Sequence, residues 1–116
     1  MSSVGCSAVC SFLQISVAYA EMTAKELVDT LANPYVRVRE FVMSFFVGTQ
    51  NGRSWANTQL AYDKMPLVYC VPPKMGLTGE QVLDVLKRHL EEVPTDKNFP
   101  VGLALLRAMR STFPCT

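Results

Sequence analysis

The sequence predicts an all-α protein, a small bundle of about four helices stapled by one disulfide. Three observations carry that expectation. Apolar residues recur at spacings of three and four rather than two, helix-start signatures precede the apolar runs, and only two cysteines follow residue 20. The chain has 116 residues, 49% hydrophobic and 18% charged. That length suits one domain, and that composition is too apolar for a disordered chain and too interrupted by polar groups for a membrane-embedded one. Eleven Lys and Arg face ten Asp and Glu. So balanced a charge gives no field to draw in nucleic acid or an anionic bilayer, and a partner must be read through shape and local contacts.

The first twenty residues carry no Asp, Glu, Lys or Arg. A short apolar stretch from Ala8 to Val17 ends in Ala18-Tyr19-Ala20, the small-x-small pattern that signal peptidase accepts, so residues 1–20 are expected to be a leader cleaved after Ala20. A buried N-terminal helix or a short membrane anchor is the alternative. Cleavage would remove Cys6 and Cys10 and leave Cys70 and Cys115 in an oxidising compartment, where a disulfide is the natural outcome. A metal site is a poorer reading, because these two cysteines and His89, the only histidine, match no ligand spacing.

In residues 21–116, Thr23 with Glu26 three residues on forms a capping box for a first helix, with Leu27, Val28 and Leu31 on its apolar face and Asn33-Pro34 at its end. Pro34 suits the first turn of a second helix. There Val38, Phe41, Val42, Phe45 and Phe46 predict one aromatic-rich core stripe, and Gly48 a place where another backbone approaches closely. From Thr49 to Met65 the pattern dissolves into amides and hydroxyls, with a turn signal at Asn51-Gly52. This segment holds Trp55, the only tryptophan, beside Arg53, Asn57 and Tyr62, and exposed Trp, Tyr and Arg often dominate binding energies. Two readings stay open. In one it is an exposed contact segment; in the other Trp55 and Leu60 fold back to cap the core and leave a polar connector.

Leu67 to Val71 could pass for a strand, but Pro66 and Pro72-Pro73 argue for an extended connector pinned by Cys70. Thr78 with Gln81 starts the clearest helix, whose face is Val82, Val85, Leu86, Leu90 and Val93 and which Pro94 ends. His89, at the edge of that face, reads as structural. After a loop over Thr95 to Asn98, Pro100 opens a last helix lined by Val101, Leu105, Ala108 and Met109. Cys115 follows it, placed to reach back to Cys70.

No catalytic constellation is present in this pattern. One histidine, no G-x-S-x-G turn and two cysteines bonded to each other argue against nucleophilic hydrolysis. Phosphate-binding glycine loops are missing, the carboxylate pairs fall on solvated helix faces, and no cofactor is called for.

The second half reads Tyr69-Cys70-Val71-Pro72, Gly76-Leu77-Thr78 with Gln81, Leu90-Glu91-Glu92-Val93-Pro94 and Phe113-Pro114-Cys115. That order resembles the type VI secretion amidase immunity family, small periplasmic helical proteins with a Cys-x-Pro, a Gly-hydrophobic-Thr cap, a helix ending in Pro and a closing Phe-Pro-Cys. The likeness spans Leu27 to Cys115. Upstream, Phe45 to Asn51 is similar to the family's aromatic-x-x-Gly-x-x-Asp segment, with Asn51 where Asp is common. Many relatives carry further cysteines in the first two helices; this chain has none there, so no second disulfide is expected.

The resemblance implies a homodimer that plugs the groove of a peptidoglycan-cleaving amidase effector, in the periplasm and off the membrane once the leader is gone. By residue type, the contacts expected within Gln50 to Lys64 are Gln50, Asn51, Arg53, Trp55, Asn57, Tyr62 and Lys64. Alternatives from other classes are an acid-stress chaperone and a small-ligand carrier using the Phe41, Phe45 and Phe46 stripe.

Overall fold

The computed structural model describes residues 22–116; the expected leader lies outside them. Four α-helices and one 3-10 turn make up the architecture, and no strand occurs among the described residues. Helix α1 spans Ala24–Leu31 and opens on the expected capping box. Glu26 N–H donates to Thr23 Oγ1 at 3.1 Å, while Thr23 N–H donates to Glu26 Oε1 at 3.0 Å. Leu27 is fully buried. The residues just ahead of α1 are fastened to the head of the last helix: Val101 N–H donates to Met22 C=O at 2.8 Å and Ala24 N–H to Phe99 C=O at 3.0 Å.

Helix α2 spans Val36–Tyr62, 27 residues. Pro34 lies before it rather than in its first turn, because the Asn33 side chain turns the chain by accepting from Tyr35 N–H at 2.8 Å. The expected break at Asn51-Gly52 does not occur, and helix continues through Thr49 to Tyr62. The expected core stripe divides: Val42 and Phe46 are buried, whereas Phe41 and Phe45 are exposed. Residues one apart on a helix differ by about 100°, so once Val42 and Phe46 face inward, Phe41 and Phe45 turn outward together. They therefore line no cavity for a small ligand. The close approach expected at Gly48 is found instead at Gly79, where an added Cβ would meet Val47 Cγ2 at 3.0 Å; nothing lies within 4 Å at Gly48.

A strandless connector leads to α3, Gly79–Glu92, again with both halves of a capping box, between Thr78 and Gln81. Val82, Leu83, Leu86, His89 and Leu90 are its buried residues. Pro94 ends the helix, and the expected loop winds into a 3-10 turn, Pro94–Asn98. Helix α4 spans Val101–Thr112 with Pro100 as its N-cap residue and buries Val101, Ala104, Leu105, Ala108 and Met109. It packs most extensively on α3, while α1 lies across α2 and α4. Phe46, Leu27, Leu86, Leu105, Val82 and Val101 fill the centre of the one core. Cys70 and Cys115 form the expected disulfide, with Cα atoms 5.1 Å apart.

Candidate partner-binding surface

The second half of α2 shows inverted amphipathicity, with polar side chains turned toward the protein and aromatic ones toward water. Asn57, inward-facing, clamps the connector: its Nδ2 donates to Tyr69 C=O at 2.8 Å and its Oδ1 accepts from Val68 N–H at 2.9 Å. Those bonds satisfy two backbone groups that a strandless segment leaves without a ladder. Arg53 Nε donates to Gly102 C=O at 3.3 Å and so ties α2 to α4. Gln50 lines a hollow of about 330 Å³ with Ser54, Tyr69, Val71, Met75 and Met109. Burial pushes the Tyr69 phenol up from its ordinary value, so it stays neutral.

Facing outward, Trp55 is 73% exposed and Tyr62 84%. Asn51 is exposed beside a shallow groove bordered by Glu40, Ser44 and Gly48. Lys64 is exposed and has a positive φ of 57°, the only non-glycine residue to do so among the described residues. It closes α2: Lys64 N–H donates to Ala61 C=O at 3.1 Å and Met65 N–H to Leu60 C=O at 2.8 Å, the paired bonds of a Schellman motif. The chain after Tyr62 is thus held by the Schellman turn, the Asn57 clamp, a Cys70 N–H bond to Phe113 C=O at 2.8 Å, and the disulfide.

A separate polar centre locks the opposite end. Asp96, 1% exposed, accepts from His89 Nε2 at 2.6 Å and Arg107 Nε at 2.8 Å, joining α3, the 3-10 turn and α4. Burial opposes its ionisation, but the Arg107 and His89 hydrogen bonds outweigh that and hold its carboxyl below the usual value. Arg107 also lies over the Phe99 ring, 5.4 Å from its centroid. All of this is structural: every buried side-chain polar atom among the described residues has a partner. No group of three or more His, Cys, Asp or Glu among them could hold a metal ion.

A small helical scaffold with a stapled, outward-facing aromatic ledge has the form of a binding protein, and a family model supplies its kind. The model described as Rap1a immunity proteins matches residues 8–115. The chain belongs to the Rap1a immunity protein family. That family protects against type VI effectors, so this Rap1a protein is an immunity protein that binds a cognate effector. No curated protein and no solved structure matches the chain. No helix among the described residues is long and apolar enough to cross a membrane.

Of the seven contact residues read from the sequence, the fold brings Asn51, Trp55, Tyr62 and Lys64 to the outer surface. It turns Gln50, Arg53 and Asn57 inward. Phe41 and Phe45 belong to the outer surface and not to the core stripe that the sequence predicts; the signal is their register, one position out of step with Val42 and Phe46.

Proposed function

We propose that this Rap1a protein is exported to the periplasm after cleavage of residues 1–20, that its domain is residues 21–116, and that there it inhibits a peptidoglycan amidase effector by occluding the active-site cleft. The proposed contact surface is the end of α2 and the turn after it, where Tyr62, Lys64 and Met65 stand exposed. The observation that carries this reading is the number of independent fastenings on that stretch. A surface already fixed before encounter has little ordering entropy left to lose, and a rigid plug blocks a cleft without chemistry of its own. Pairing of two copies, implied by the resemblance, belongs to the same reading. The test is a peptidoglycan-cleavage assay with a candidate amidase effector. Inhibition saturating at stoichiometric protein is expected; undiminished cleavage at molar excess overturns the proposal.

A further inference from the structure

The Asp96 centre leaves part of its own hydrogen-bonding capacity unspent. Its neighbours hold Asp96 ionised, and a carboxylate only accepts, so the His89 nitrogen 2.6 Å from it, Nε2, carries the ring proton. A neutral imidazole has a single N–H, which leaves Nδ1 with a bare lone pair. No group of the fold meets that lone pair. His89 is 7% exposed, and no fully buried side-chain nitrogen or oxygen among the described residues lacks a hydrogen bond, so Nδ1 reaches the surface. The opening beside it is a groove of about 450 Å³ between the end of α3 and α4, lined by His89, Val93, Arg107, Arg110 and Ser111.

The other polar groups of the groove are donors. Arg107 gives Nε to Asp96, and the N–H groups on its two terminal nitrogens have no partner among the described residues. Arg110 stands three residues on and therefore on the same side of α4. It forms no ion pair there, and the Ser111 hydroxyl makes no hydrogen bond. No Asp or Glu lines the groove among the described residues, so the Arg110 charge is answered by nothing in the fold. Arg107 is also set in advance: although half exposed, its guanidinium is pinned by Asp96 and by the Phe99 ring. A donor fork fixed before a ligand arrives loses little freedom on binding.

We infer that this groove is a phosphate site that takes the monohydrogen form, HPO4. The phosphate oxygens accept from Arg107, Arg110 and Ser111, while its one O–H donates to His89 Nδ1. The guanidinium fork matches two oxygens on one phosphorus, which fixes the anion with its hydroxyl turned to the ring.

That hydroxyl is what selects. Sulfate presents the same tetrahedron of oxygens without a proton, so it sets an anionic oxygen against the Nδ1 lone pair and leaves that nitrogen desolvated without a donor. A site built to hydrogen-bond a hydroxyl rejects the analogue lacking it far more sharply than a site that reads shape alone. The inference rests on this end of the molecule and draws on neither the α2 surface nor the amidase reading.

The test is nitrogen NMR of the purified protein, in which His89, the only histidine, gives ring signals that need no assignment. At about pH 8 the free protein should show a proton on Nε2 and none on Nδ1. Inorganic phosphate added at constant ionic strength should move the Nδ1 signal along a saturating curve, with a dissociation constant of about 1 mM or below, and sulfate should bind at least about tenfold more weakly. Arg110→Gln removes one donor fork at an exposed position. It should keep the helical circular dichroism and the melting temperature while weakening phosphate about tenfold. A proton on Nδ1 in the free protein overturns the inference, as does a ring signal unmoved by about 20 mM phosphate, sulfate binding equal to phosphate, or an Arg110→Gln protein that binds like wild type. Amidase inhibition, present or absent, leaves each of these readouts unchanged, so the two readings fail separately.

Discussion

Replacing Asn57 with alanine separates clamp from contact, because Asn57 has the residue type of a binding-surface amide and the position of a structural one. The substitution removes bonds of 2.8 Å to Tyr69 C=O and 2.9 Å to Val68 N–H, both part-buried. Each such bond contributes about 1 kcal/mol net, and backbone groups left without a partner away from water add to the loss, so about 2–3 kcal/mol is expected. A domain of this size has roughly 5–10 kcal/mol in total and shifts its midpoint by about 4–8 °C per kcal/mol, so melting should fall by about 10–20 °C. Thermal unfolding by circular dichroism reads this directly, with Tyr62→Ala as the control. That residue is 84% exposed, so its removal should move the midpoint by no more than about 2 °C while weakening effector binding about tenfold or more. Asn57→Ala should bind the effector normally below its lowered melting point. If Asn57→Ala melts like wild type yet loses binding, the side chain touches the partner and the clamp reasoning fails.

Three further outcomes follow from the same geometry. Reduction of the Cys70–Cys115 bridge, or Cys115→Ser, opens a loop with a sequence separation of 45, which in the chain-entropy account removes up to about 4 kcal/mol; urea midpoints with and without reductant measure it. The Asp96 carboxyl titrates lower in the folded than in the unfolded chain, so its contribution is complete above the ordinary aspartate value of about 4 and is lost as pH falls through the folded value. Stability against pH should decline on that acid side, and Asp96→Asn should flatten this part of the profile. Lys64→Gly relieves a left-handed residue, φ 57°, and should raise stability by roughly 0.5–1 kcal/mol; a lowered midpoint would count against the Schellman assignment.

Where the sequence was legible, the reason is local chemistry. Thr23 with Glu26 and Thr78 with Gln81 need only their own spacing to form capping boxes, and both form. Two cysteines beyond residue 20 leave one pairing, and it is the one present. The second half of α2 was not legible, because hydrophobic periodicity assumes that the apolar face is the buried one. From Gln50 onward the inward positions are Gln50, Arg53 and Asn57, which hydrogen-bond or line the connector, and the outward ones are Trp55 and Tyr62, so a period search finds no core face. Gly52 then reads as a turn, since nothing near it in sequence says that the helix is held by partners far along the chain. His89 is structural, as its place on the helix face implies, but Asp96 stands in what reads as an ordinary loop; only the fold brings α3 and α4 around it.

The bridge between Cys70 and Cys115 turns everything between them, α3, the 3-10 turn and α4, into one covalent ring. A protease that severs the exposed Pro72–Gly76 stretch would therefore linearise the ring without releasing a fragment. The nicked molecule would keep its mass but for one added water, and its core helices would stay tethered at the effective concentration they had before. For a protein whose role is to bind an effector, a first cut would then be survivable.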